Sequence, residues 1–156
     1  MKDKKVFYVD SPLYKLEYTA RFCARYFSLF FKENFSHLDI TEGECTVLDT
    51  IIKSPEISQI DLARLLFKGR SHITQILNSL ESKGYIKRVD TLKNGRKIRQ
   101  TVLTPEGKAV YQQMDEVFEK KFERMCNFFE EKEESFVGML SEIREILTEG
   151  EDVKFD

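Results

Sequence analysis

Cysteine is scarce in this 156-residue chain, which holds only Cys23, Cys45 and Cys126. An odd number of thiols, in a chain long enough to bury a core of its own, argues against a disulfide framework and for a reducing compartment. Histidine is scarcer still, with His37 and His72 alone. The sequence has no His-x-x-x-His or Cys-x-x-Cys pair, no Ser or Cys in a nucleophile-elbow context and no glycine-rich phosphate loop. The expectation is therefore a protein that is not an enzyme and that holds neither a metal nor a cofactor. Long apolar runs are missing too. No stretch approaches the roughly 18 uncharged apolar residues of a membrane span, and the charged segment from Met1 to Asp10 lacks the apolar core of a secretory signal. A cytoplasmic chain with no membrane partner is expected. With three Pro and seven Gly, 41% hydrophobic and 33% charged residues, the composition is that of a structured domain.

The net charge is small, -2, but it is spread unevenly. Arg64 to Arg99 holds ten basic residues against two acidic ones, a local balance of +8, whereas Asp115 to Asp152 holds 13 acidic against five basic. A basic middle beside acidic flanks suggests one face for a polyanion and another that keeps away from it.

The punctuation of the chain predicts its elements. Ser11-Pro12 reads as an N-cap followed by proline at the first helical position, and Leu13, Leu16, Ala20, Cys23, Phe27 and Phe30 follow at helical spacing to about Phe35. A second apolar set, Tyr18, Phe22, Tyr26 and Leu29, lies on another side of the same helix, so a partner surface is implied. Thr41-x-x-Glu44 is a capping box for a second helix with Cys45, Leu48, Ile51 and Ile52 inward. Ser58 caps a short third helix carrying Ile60, Leu62, Ala63, Leu65 and Leu66. A fourth runs from Ser71 to about Lys83 with Ile73, Ile76, Leu77 and Leu80 on one side, and Gly84 then supplies a left-handed stop. Two strands, Ile86 to Val89 and Lys97 to Leu103, flank Asn94-Gly95, a strong hairpin signal. Thr104-Pro105-Glu106 opens a long helix with Val110, Met114, Val117, Phe118, Phe122, Met125 and Phe129. A last helix runs from about Glu133 to Thr148 with Phe136, Val137, Leu140, Ile143 and Leu147 inward and Gly150 past its end.

Helices followed by a hairpin, with a tight glycine turn before the fourth helix, make a helix-turn-helix with a wing. Opposite the apolar stripe of the fourth helix lie Ser71, Thr74, Gln75, Asn78 and Ser82, uncharged donors and acceptors suited to base edges in a major groove. The fold class expected is mainly α with a small β hairpin, a winged helix-turn-helix plus a helical dimerisation region.

Residues 40 to 108 resemble the multiple-antibiotic-resistance regulator (MarR) family of dimeric winged-helix transcription factors. The resemblance is carried by IDLARLLFKGRSHITQILNSLESKGYIKRVD, with its Leu-Glu-x-x-Gly-Tyr-Ile-x-Arg ending, and by LTPEGK after the wing. It implies a dimerisation helix over 1–37, a winged DNA-binding domain over 38–104, dimerisation helices over 105–150 and a tail over 151–156. It also implies a homodimeric regulator of transcription, most simply a repressor, whose partners are double-stranded DNA, a second copy of the chain and a small-molecule effector of unspecified chemistry. The rival is a dimeric adaptor that docks a protein on the same surface. The residues assigned to DNA are Arg70, Ser71, His72, Thr74, Gln75 and Asn78 on the helix, with Lys93, Arg96 and Lys97 on the wing, Arg96 falling where the family has a minor-groove arginine. The family's acidic brace for that arginine is replaced here by Gly95, and Gln75 stands where many members have arginine, which shifts the preferred base from guanine toward adenine. Some members sense oxidants through a cysteine of the first helix. Cys23, flanked by Arg21 and Arg25, reads first as packing and second as such a thiol. Tyr18, Phe22 and Arg25 mark a place for an effector cleft, with dimer core as the competing reading of the aromatic residues.

Overall fold

The computed structural model describes residues 11–93 and 95–148, with the side chains at 91, 93 and 96–99 outside that description. The expectations for Met1 to Asp10, Asn94, Gly150 and the tail therefore lie outside the described residues. Six helices and one antiparallel hairpin follow in the order α1 (Pro12–Phe35), α2 (Glu42–Lys53), α3 (Gln59–Leu65), α4 (Arg70–Ser82), β1 (Ile86–Lys93), β2 (Arg96–Leu103), α5 (Pro105–Phe129) and α6 (Glu133–Thr148). The mainly α class with a small β hairpin and a winged helix-turn-helix, read from the sequence, is the one observed. The chain forms two compact units, Met1–Glu42 and Gly43–Asp156, described separately below.

In the first unit, the Ser11 hydroxyl accepts from the Tyr14 backbone N–H at 3.1 Å, and Pro12 occupies the first turn, as the cap signal predicts. Burial along α1 is confined to its end: Phe30, Phe31 and Phe35 are buried, with Phe35 packing against the other two rings at centroid distances of 5.9 and 5.0 Å. The rest of the predicted inward stripe is covered only in part, with Leu16 and Phe27 half-buried. Leu13, Ala20 and Cys23 are exposed, as are Tyr18, Phe22, Tyr26 and Leu29 on the second apolar set.

In the second unit the core lies between α2, α3, α4 and the hairpin. Val47, Leu48 and Ile51 of α2, Leu62 and Ala63 of α3, Ile73, Ile76, Leu77 and Leu80 of α4 and Ile86 of β1 are all buried. Two details depart from the expected faces. Val47 takes the buried position on α2 while Cys45 and Ile52 are half-buried, and Ile60 and Leu65 of α3 are exposed, because a seven-residue helix cannot turn all four of its apolar residues toward one core. The strands are longer than their β-branched runs and pair residue for residue from Ile86↔Leu103 to Lys93↔Arg96. Gly95, at φ +74°, supplies the left-handed conformation that the short connection demands.

Helices α5 and α6 follow the predicted order, but their stripes are only partly covered: most of the α5 stripe is half-buried, as are Leu140 and Ile143 of α6, whereas Met125, Phe136, Val137 and Leu147 are exposed. Met114 is the one stripe residue of α5 that is buried, and α6 has no buried residue at all.

Candidate nucleic-acid interface

Helix α4 is held by its buried stripe and by its ends. At its C-terminus Tyr85 N–H donates to the Leu80 carbonyl at 2.9 Å and Gly84 N–H to the Glu81 carbonyl at 3.0 Å, with Gly84 at φ +75°. This pair of bonds is the Schellman closure, which requires a residue tolerant of left-handed backbone. A second restraint crosses from α2. Ser79 Oγ donates to Glu44 Oε1 at 2.6 Å, and Lys83 Nζ lies 3.0 Å from Glu44 Oε2, with the Glu44 side chain only 3% exposed. A carboxylate so deeply buried is tolerated because cation and hydroxyl together replace its water.

The hairpin is tied to the same frame. Gln100 Nε2 donates to the Pro55 carbonyl at 3.1 Å, fastening β2 to the segment between α2 and α3. At its far end Thr104 Oγ1 donates to the Gly84 carbonyl at 2.6 Å, and Thr104 N–H donates to the Tyr85 carbonyl at 3.0 Å. Gly107, in the first turn of α5, comes so close that a Cβ there would sit 2.0 Å from the Tyr85 carbonyl oxygen. The glycine of LTPEGK is thus a close-approach residue. One turn on, Tyr111 donates its hydroxyl to Asp49 Oδ1 at 2.7 Å. Burial, followed by that carboxylate, pushes the phenol well above its ordinary value of 10.0.

The outward face of α4 presents Arg70, Ser71, His72, Gln75 and Asn78 exposed, with Thr74 half-buried. Among the described residues, Gln75, Ser71 and His72 have no side-chain hydrogen bond within the chain. Thr74 and Asn78 do. Thr74 Oγ1 donates to the Arg70 carbonyl at 2.9 Å and accepts from Gln59 Nε2 of α3. Asn78 Oδ1 accepts from Arg88 Nη2 at 2.7 Å. Gln59 and Arg88 were not among the sequence candidates. The oppositely charged Glu81 and Arg88 on either side of the Gly84 turn were the available signal for the second of them.

The backbone of Lys93, Arg96 and Lys97 lies at the tip of the hairpin, and their side chains lie outside the description. The basic count of the segment needs a correction for pairing. Lys83 is committed to Glu44 and Arg88 to Glu81, at 3.0 and 3.6 Å, so these two cations serve the fold before they serve a ligand.

The remaining candidates sit elsewhere. Cys23 is exposed rather than packed, as is Cys126, while Cys45 is half-buried. Tyr18 and Phe22 are 59% and 62% exposed on α1, each stacked on the aromatic residue one turn away, Tyr14 and Tyr26 respectively, and Arg25 is exposed beside them. A small cavity of about 160 Å³ lies in the second unit, bordered by Ile57, Gln59, Leu77, Arg88 and Thr101 among others. Among the described residues no three His, Cys, Asp or Glu side chains gather as metal ligands would, and no helix is long and apolar enough to cross a membrane.

The comparisons with known proteins agree with this geometry. Residues 38–97 match the MarR family. The structure of the transcriptional regulator SlyA superposes with a TM-score of 0.68 at 21% identity, over 86% of this chain and 94% of that one. The MepR–DNA complex from S. aureus gives 0.71 at 20% identity, over 88% and 99%. FabT of Streptococcus pneumoniae in complex with DNA gives 0.64 at 21% identity, over 90% and 100%. No curated protein matches the sequence. Buried stripe, Schellman stop, hairpin and close-approach glycine all fall within or next to the matched segment, and the chain has a winged helix-turn-helix fold similar to that of these structures, its residues 38–97 being similar to the MarR family.

Proposed function

We propose that the protein is a homodimeric repressor that reads a pseudo-palindromic operator, with α4 in the major groove and the β1–β2 wing in the minor groove. The observation that carries this reading is the face of α4 bearing Ser71, His72, Gln75 and Asn78: exposed, free of acidic groups, and set on a helix whose opposite face is wholly buried. A rigid helix offering donors and acceptors of modest reach suits base edges. Helix α4 also begins at Gly69 with no side-chain cap, and Arg70 is exposed at that end, an arrangement favourable to a phosphate. Lys93, Arg96 and Lys97 would add charge at the wing. Two similar proteins are seen with DNA, MepR and FabT.

Dimerisation is supported by apolar surface that the single chain leaves open. Tyr18, Phe22 and Leu29 on α1, Met125 and Phe128 on α5, and Phe136, Val137, Met139, Ile146 and Leu147 on α6 are all exposed. Surfaces of this kind are uncommon on monomers. Within that proposal Cys23 is the candidate oxidant-sensing thiol, and Tyr18, Phe22 and Arg25 the candidate effector-binding face.

Binding to duplex DNA measured against salt tests the reading, with sedimentation of the free protein alongside. The expected result is a stable dimer whose affinity falls steeply and log-linearly with salt, because phosphate contacts release counterions. A monomer of 18.4 kDa at low micromolar concentration removes the dimer. Absence of salt-dependent DNA binding favours the adaptor.

A further inference from the structure

A side chain specifies a base by the atoms it offers, so an amide whose oxygen is already engaged is a different reader from a free one. Two residues outside α4 engage two of its outward groups. Arg88, on β1, places Nη2 2.7 Å from Asn78 Oδ1. A guanidinium has donors only, so the facing atom of the amide must be its oxygen, and both N–H groups of Asn78 are left for other partners. The clamp is itself held: Arg88 Nε lies 3.6 Å from Glu81 Oε2, and the Arg88 backbone N–H donates to Glu81 Oε1 at 3.3 Å. On the other side, Thr74 Oγ1 gives its one proton to the Arg70 carbonyl, so toward Gln59 it can only accept, and Gln59 must supply Nε2. With its proton spent and one of its two lone pairs taken, Thr74 can no longer donate and offers one remaining lone pair and its methyl group.

We propose that Arg88 and Gln59 are specificity-determining residues, Arg88 biasing Asn78 toward donation and Gln59 biasing Thr74 toward contact through its methyl. The inference rests on α4 reading DNA, as proposed above. A free asparagine reads adenine by accepting from N6 while donating to N7. With one of the two Oδ1 lone pairs taken by Arg88 and the amide held in that orientation, Asn78 is a weaker acceptor and is biased toward acceptors: guanine N7 and O6, thymine O4 or a phosphate oxygen. Thr74 is directed to the C5 methyl of thymine. Gln75, which has no side-chain hydrogen bond among the described residues, keeps both halves.

The test is the set of duplexes that the full chain enriches from a randomised pool, compared between parent and variants that keep the net charge. Arg88→Lys retains a cation for Glu81 but gives up the planar fork, which releases Asn78. Adenine should then rise about fivefold or more at one position of the enriched motif. Adding Asn78→Ala should abolish that rise, because Arg88 acts through Asn78. Gln59→Ala, a change at an exposed side chain, should lower thymine at a different position by about twofold or more. Circular dichroism confirms folding of each variant, and Gln59→Ala keeps the proposal open to refutation if Arg88→Lys does not fold. Unchanged base frequencies in the folded variants, with the parent still enriching a motif, overturn the two clamps and leave DNA reading standing. A parent that enriches no motif removes DNA reading and the clamps with it.

Discussion

Helices α4 and α6 have the same kind of sequence and opposite surroundings. Each carries apolar residues at helical spacing, Ile73, Ile76, Leu77 and Leu80 in one, Phe136, Val137, Leu140, Ile143 and Leu147 in the other. All four of the first set are buried, and none of the second is. Periodicity specifies that a face must be covered, and it is silent on whether the cover comes from the same chain. For α4 the cover is α2, α3 and the hairpin. For α6 a second copy of the chain is the cover in the proposal made above.

The largest effect that would break this comparison comes from the stripes themselves. Leu80→Ala, at a fully buried site, should cost about 2 to 5 kcal/mol in denaturant unfolding, since it leaves a cavity among rigid neighbours. Leu147→Asp, at a site 59% exposed, should leave α4 and its surroundings folded and shift the sedimenting species toward the 18.4 kDa monomer. If Leu147→Asp unfolded the chain without changing its mass, the stripe of α6 would be covered from within.

The seam between the winged region and α5 sharpens the same contrast. Gly107→Ala should cost about 3 kcal/mol, because the new Cβ meets the backbone carbonyl of Tyr85 rather than a side chain that can swing away. A thermal melt indistinguishable from the parent would show that α5 can shift its first turn freely. A smaller loss, about 1 kcal/mol, is expected for Tyr111→Phe, which leaves Asp49 with Lys53 at 2.9 Å as its remaining partner. The sign with pH follows from the raised phenol. The folded chain holds this proton more tightly than the unfolded one, so the contribution of Tyr111 is complete below pH 10 and declines as pH rises beyond the ordinary value of 10.0. Stability measured from pH 8 upward should therefore fall more steeply in the parent than in Tyr111→Phe, and parallel curves would refute the assignment.

The winged region was legible because its signals are local. A serine cap, an i, i+3, i+4, i+7 stripe, a glycine stop and a hairpin glycine each act within a few residues, and the boundaries they set for α4 and α5 are met within one or two positions. Burial in α1, α5 and α6 was not legible, and Cys23 illustrates why. Its place on an apolar stripe suggests packing, yet among the described residues it is exposed. The candidate site was legible as a face and not as a set of hydrogen bonds. Gln59 meets Thr74 across 15 positions and Arg88 meets Asn78 across ten, and no periodicity records which amide atom such a meeting consumes.

The central claim is that the polar face of α4 reads bases, and Gln75 is its least restrained member. Affinity of the parent and of Gln75→Ala should be measured at one salt concentration on the enriched site and on random duplex. A loss of about 1 to 3 kcal/mol on the enriched site, with little change on random DNA, is the predicted result. Equal losses on both duplexes, or no loss on either, would contradict base reading by α4.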